Sequence, residues 1–201
     1  MTVVKLVSGC PRLRTADTAF RKTSGSTTAE PQFLSASSAN LVGVSLATAP
    51  GQACYIPVGH AHEGEGGLAL DAPPDLTQIP LDQALARLKP MLEDPSVLKV
   101  AQNGKYDMAV LSRYGIEVAP MDDTMLIAFA LEGGLHKSYG MDELSKRLLD
   151  HEPISFKSVT GTGKAQKSFK HVELAAATCY AAEDADVTYR IYQHLRPLLS
   201  R

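Results

Sequence analysis

The sequence predicts an α/β fold, a mixed sheet flanked by helices, and three stretches carry that reading. Residues 41–48 (LVGVSLAT) and 53–58 (ACYIPV), separated by Pro50-Gly51, read as a β hairpin rich in Val, Ile and Tyr. Val97 to Ala101 is a short apolar strand with helical periodicity on both sides. A long helical run extends from about His171 to Leu195 and ends near Pro197. Hairpin, helix, strand, helices and a long closing helix make a layered α/β arrangement. At 201 residues the chain suits one domain with a real core.

The elements follow in order. Residues 1–7 (MTVVKLV) read as a short strand. Residues 8–40 lack apolar periodicity and are rich in Ser and Thr, with Arg12, Arg14, Arg21 and Lys22 against only Asp17 and Glu30. A disordered arm, an organelle transit peptide and an altered natural sequence all fit that composition. The chain therefore divides into an atypical N-terminal segment, 1–40, and a regular domain, 41–201. Residues 59–79 form a Gly/Pro-rich loop, in which His60 and His62 read as an exposed pair because no third metal ligand is near. Residues 80–93 place Leu81, Ala84, Leu85, Leu88 and Leu92 on one helical face, with Pro80 at the start. Helices are expected at about 105–114, stopped by Gly115, at 123–131, stopped by Gly133-Gly134, and at 141–149. Residues 150–170 read as a loop carrying Lys157, Lys164, Lys167 and Lys170. Its Gly161-Thr162-Gly163-Lys164 is not a phosphate loop: Ser158 stands where the first glycine is needed and Ala165 where a magnesium-binding hydroxyl belongs.

Bulk chemistry narrows the function. Hydrophobic residues make up 44% and charged residues 21%, an ordinary globular composition. The net charge of −2 argues against a broad duplex-wrapping surface, though not against a small site gripping a few nucleotides. Cys10, Cys54 and Cys179 are far apart and odd in number, as suits reduced thiols in a cytoplasmic protein. No apolar run is long enough for a membrane span, and the first residues are too short for a signal peptide.

Two places offer chemistry. Tyr180 and Asp184 stand four apart in the last helix, so a phenol and a carboxylate share one face, one turn apart. Asn103 and Asp107 sit where the strand at 97–101 turns into a helix, the kind of junction at which α/β proteins place ligands. A purely local reading competes there: Asn103 caps the helix and Asp107 complements its positive end.

Taken together, Gln102-Asn103-x-Lys105-Tyr106-Asp107, Asp123-Thr124-Met125-Leu126 and Tyr180-Ala181-Ala182-Glu183-Asp184-Ala185-Asp186 resemble the 3′→5′ proofreading exonuclease domain of bacterial family A DNA polymerases. The likeness runs in order from about Leu41 to Leu198, and the Tyr180-x-x-x-Asp184 pair resembles the tyrosine branch of the four-carboxylate (DnaQ-like, DEDD) exonucleases. The resemblance implies a ribonuclease H-like fold and two divalent ions, Mg²⁺ or Mn²⁺ with Zn²⁺ also suited, clamping the scissile phosphate. It implies Asp184, Asp107 and Glu30 as metal ligands and Tyr180 as the group that orients the attacking water. Asn103, Leu34 and Phe169 would contact the single-stranded DNA 3′ end, with Leu34 as a wedge and Phe169 as a stacking ring. It also implies a monomer that acts in the cytoplasm, linked in the native gene to a polymerase domain for which this chain has no counterpart.

One family position departs. Counting back from Asn40-Leu41-Val42-Gly43, the family's Asp-x-Glu places Glu on Glu30 but Asp on Thr28. A neutral hydroxyl removes both a charge and a bridging ligand. The central strand expected just before it falls on 21–27 (RKTSGST), which is poor strand sequence, whereas MTVVKLV resembles the family's first short strand. The leading expectation is an exonuclease domain of weakened activity. A catalytically silent module that keeps the fold is the runner-up, and a 3′-end RNA exonuclease is the third reading.

Overall fold

The computed structural model describes residues 1–8, 39–62 and 76–199. Among the described residues five strands form one sheet: β1 (Thr2–Ser8), β2 (Leu41–Ala49), β3 (Gln52–Pro57), β4 (Lys99–Ala101) and β5 (Met121–Asp123), in the order β3-β2-β1-β4-β5. Strands β1, β2 and β3 are successively antiparallel, while β4 and β5 run parallel to β1. The sheet is therefore mixed, as the sequence predicts.

Its centre differs from expectation. The central position belongs to β1, the apolar segment at residues 2–8. The segment 21–27 lies outside the described residues, as do Thr28, Glu30 and Leu34.

Side chains alternate across β1 and decide what covers each face. Val4, together with Leu41 and Val44 of β2, packs against α1 (Leu81–Glu93) and α2 (Gly104–Ser112) through Leu85, Leu88, Leu92, Val110 and Leu111. Val3, with Ala47 and Val100, meets the long helix α6 (Leu174–Leu195) through Ala185, Tyr189 and Tyr192. The helices α3 (Thr124–Glu132) and α4 (Met141–Leu149) pack on the outer side of α6 through Ala128, Leu144, Val187 and Ile191.

A strand and a helix were not expected among the described residues. Strand β5 occupies Met121–Asp123, just before α3, and pairs in parallel with β4 from Lys99↔Met121 to Ala101↔Asp123. The lysine-rich loop holds a short helix, α5 (Phe156–Thr160), whose start is capped by the Ser155 side chain accepting from Ser158 N. The other helices appear where the periodicity places them, and Gly115 and Gly133 adopt positive φ at the expected stops.

The hairpin fixes one glycine. The Tyr55 ring of β3 lies over Gly43 of β2, and a Cβ there would fall 2.1 Å from the Tyr55 hydroxyl oxygen. Close approach of the ring excludes any side chain at 43. Among the described residues, no helix is long and apolar enough to cross a membrane.

Candidate active site

Helix α6 carries the phenol and the carboxylate, and its own sequence explains how closely it lies on the sheet. Glu173 caps it, accepting from Ala175 N and Ala176 N at 2.9 Å each. Ala177, Ala181 and Ala185 recur at four-residue spacing and are fully buried, so the helix seats without bulky side chains between it and the strands. Asp184 lies on the same inner side and is only 2% exposed. Its backbone carbonyl accepts from Thr188 Oγ1 at 2.8 Å.

Burial dominates the electrostatics of this carboxylate. Removal from water pushes Asp184 up to about 6, with nearby Asp142 and Glu183 acting in the same direction. The Lys5 ammonium of β1 and the Tyr180 hydroxyl oppose the shift. Lys5 Nζ stands 3.9 Å from Asp184 Oδ2. Asp184 Oδ1 is buried and has no hydrogen-bond partner among the described residues.

Tyr180, one turn earlier, is half-buried and backed by aromatic rings. Its ring centroid is 5.7 Å from that of Phe169 and 6.0 Å from that of Phe156, and those two stack at an interplanar angle of 15°. Burial raises the phenol's pKa well above its ordinary value, and the Asp184 charge raises it further. The hydroxyl therefore keeps its proton at any physiological pH.

Phe169 corrects an expectation. It is completely buried, enclosed by Phe156, Tyr180 and His60, and has no free face on which a base could stack. It packs behind Tyr180 and fixes that ring. His60 is likewise buried rather than exposed. Its Nε2 is 2.8 Å from the Tyr55 hydroxyl, and its backbone N–H and carbonyl both bond the Gln78 amide at 2.8 Å. Burial lowers its pKa, against smaller opposing contributions from the Val172 and Lys170 backbone.

The second place lies at the end of β4. Asn103 adopts a left-handed conformation (φ 59°, ψ 44°) and leads into α2 without a side-chain capping bond. Its amide is thus not the helix cap that the local reading supposed. Asp123 performs the stabilising role instead: it accepts from Asn103 N at 3.1 Å, from Gly104 N at 2.8 Å and from Met125 N at 2.9 Å. Gln102 is buried and donates to the Tyr139 carbonyl at 2.8 Å. Asp107, in the first turn of α2, is buried at 4% exposure.

The structure brings Tyr180 and Asp184 together and adds three charged neighbours, of which only Glu183 lies within the motif. Asp142, in the first turn of α4, acts electrostatically on both. Glu183 holds the following loop on α6, with Oε1 3.0 Å from His151 Nε2 and Oε2 accepting from Ile154 N at 2.6 Å. Lys5 is the third. The only sequence signal for it was the two-residue alternation that puts Lys5 on the same face as Val3.

As a divalent-metal site the described donors are incomplete. The buried, unpartnered Oδ1 of Asp184 suits a hard cation. Yet no three His, Cys, Asp or Glu side chains gather to hold a metal among the described residues, and a lysine faces Oδ2. Glu30, which would add a carboxylate, lies outside the described residues.

Comparison with known proteins places the chain. Residues 29–200 match the 3′-5′ exonuclease family. DNA polymerase I of Rhizobium leguminosarum is 48% identical over 180 residues, covering 85% of this chain and 17% of that protein. DNA polymerase I of Pseudomonas aeruginosa is 38% identical over 169 residues, covering 83% and 17%. The chain thus spans about a sixth of the length of these relatives. Among solved structures, Brucella melitensis NrnC bound to pGG superposes with a TM-score of 0.62 at 18% identity, covering 100% of this chain and 73% of that one. The same protein with bound Mg²⁺ gives 0.58 at 20% identity, with the same coverage. Escherichia coli RNase D gives 0.56 at 18% identity, covering 98% and 40%. Likeness at such low identity shows the fold alone, a ribonuclease H-like mixed sheet flanked by helices. The match over residues 29–200 and the identity to two DNA polymerase I sequences show that the chain belongs to the 3′-5′ exonuclease family.

Proposed function

We propose that this domain is a metal-dependent 3′→5′ exonuclease of the tyrosine branch, removing nucleotides from single-stranded DNA 3′ ends as the proofreading part of a DNA polymerase I. The observation that carries it is the Tyr180–Asp184 pair: a protonated phenol and a buried carboxylate with one open oxygen, one turn apart on α6. Asp184, Asp107 and Glu30 would hold two divalent ions, Mg²⁺ or Mn²⁺. When bound, such ions supply Lewis-acid polarisation of the phosphate and a water made nucleophilic at neutral pH. The chain's own groups do the rest. Tyr180, neutral and wedged by Phe156 and Phe169, offers a fixed hydroxyl to orient the attacking water. Asn103, its side chain free of helix capping and its backbone clamped by Asp123, would contact the terminal nucleotide. Leu34 would wedge the strand end.

The relatives carry this region inside a much longer DNA polymerase I, so the partner domain proposed here is a polymerase in the same polypeptide. The setting proposed is a cytoplasmic monomer.

A second reading, a silent module that binds single strands without cutting them, has two specific supports. Thr28 stands where the resemblance puts the bridging Asp, and Lys5 stands beside Asp184.

The test is digestion of a labelled single strand with Mg²⁺ or Mn²⁺, run on DNA and RNA, with Asp184→Ala as control. Slow loss of 3′ nucleotides from DNA that the variant abolishes supports the exonuclease. Strand binding without digestion selects the silent module, and preference for RNA selects the RNA-processing reading. Thr28→Asp should raise the rate of a working site.

A further inference from the structure

Lys5 is the one cation that the described structure brings to Asp184, and its origin is the sheet itself. Alternation along β1 sends Val4 to the α1 face and Val3 and Lys5 to the α6 face. Val3 is fully buried beneath Ala185 and Tyr189, and two residues on Lys5 rises beside Asp184. The Lys5 side chain is 19% exposed and the Asp184 side chain 3%. Met141 of α4 packs beside Lys5 and Thr188, with Sδ 3.9 Å from Lys5 Nζ and 3.6 Å from Thr188 Oγ1. The backbone at Lys5 is held in register against Ser45, whose hydroxyl donates to the Lys5 carbonyl at 3.3 Å. The ammonium is therefore delivered by a central strand, not by a loop that could swing away.

The surroundings are otherwise negative. Asp142 and Glu183 both bear on Asp184, and Oδ1 is buried without a partner. A lone carboxylate in such a place needs a positive partner, and Lys5 provides it at the outer limit of an ion pair. At 3.9 Å the contact is loose, so the ammonium offsets part of the site's negative charge without saturating the carboxylate. A divalent ion seated on Asp184 would lie within a few ångströms of Nζ and be repelled by it.

We propose that the Lys5 ammonium is a tethered counter-cation of Asp184 that competes with a divalent metal ion for that carboxylate. The proposal rests on the reading of Asp184 as a metal-holding residue. It makes the chain's metal affinity a property of residue 5 as well as of its acids.

The experiment is Mn²⁺ binding to the full chain, read from the electron paramagnetic resonance signal of free Mn²⁺. Circular dichroism melts confirm that each variant is folded. Lys5→Met removes the charge and keeps the bulk, and Lys5→Gln does the same with a polar end. Either should tighten Mn²⁺ binding at least about tenfold, the scale expected when a unit charge a few ångströms from a divalent ion is removed even under strong solvent screening. Lys5→Arg should leave binding weak. Adding Asp184→Asn to the Lys5→Met background should erase the gain. If neutral variants bind Mn²⁺ no better than the wild type while Asp184→Asn still abolishes binding, the competition is refuted and the metal reading of Asp184 survives. If Asp184→Asn changes nothing in any background, that reading fails and the proposal falls with it.

Discussion

Replacing Asp184 with Asn should stabilise the metal-free protein, and the effect should depend on pH in a definite direction. Burial holds the Asp184 carboxyl at about 6 against an ordinary 3.8. In the folded state the group keeps its proton through a range where the unfolded chain has already released it. The folded state thus binds more protons between about pH 4 and 6, and stability falls as pH rises across that window. Above about pH 7 the full penalty of a buried charge is present. Two pKa units at about 1.4 kcal/mol each make that penalty about 3 kcal/mol. Asn has nearly the same shape and no charge, so Asp184→Asn should exceed the wild type by about 2–3 kcal/mol at pH 8 and match it near pH 4. The assay is urea unfolding followed by circular dichroism, with a chelator present, at both pH values. A variant no more stable than the wild type at pH 8 would refute the reasoning, because the carboxylate would then be at ease where it lies.

Other outcomes follow from the same geometry. Burial depresses His60, so the unfolded chain takes up its proton first, and stability should drop as pH falls below about 6.5; His60→Gln should flatten that slope in acid unfolding curves. Gly43→Ala forces a Cβ into the Tyr55 ring and should lose about 1–3 kcal/mol in urea unfolding, partly restored by adding Tyr55→Leu. Asp123→Ala strips three backbone N–H groups of their acceptor and should lose about 1–3 kcal/mol. Hydrogen exchange at Asn103, Gly104 and Met125 should quicken in that variant.

Local periodicity made much of the fold legible. The leucines of α1 and the hairpin of β2 and β3 declare themselves within short, continuous stretches. Strand β5 could not, because Met121-Asp122-Asp123 has no strand propensity of its own and exists through parallel pairing with β4. The place of β1 was equally hidden: its apolar residues say strand, but only pairing with both β2 and β4 makes it central. At the site, the spacing of Tyr180 and Asp184 was readable because one helix carries both. Lys5 was not, since its meeting with Asp184 depends on which sheet face α6 covers. His60 and Phe169 misled for a related reason. Both sit in Gly- or Lys-rich loops that look exposed, yet each is buried by rings brought from elsewhere in the chain.

The central place of β1 also makes the contacts at the middle of the sheet non-local. The hairpin of β2 and β3 closes locally, on the microsecond scale typical of such turns. Strand β1 must find β2 across about forty residues and β4 across about a hundred, Val3 lying against Val100. Neither strand flanking β1 is its near neighbour in sequence, so the middle of the sheet is knit from distant parts. Helix α6, which lays Ala185 and Tyr189 over Val3, comes later still in the chain. Lys5 and Asp184 stand about 180 residues apart in sequence, so the surface on which they meet is among the least local in the domain, the kind of contact that slows folding.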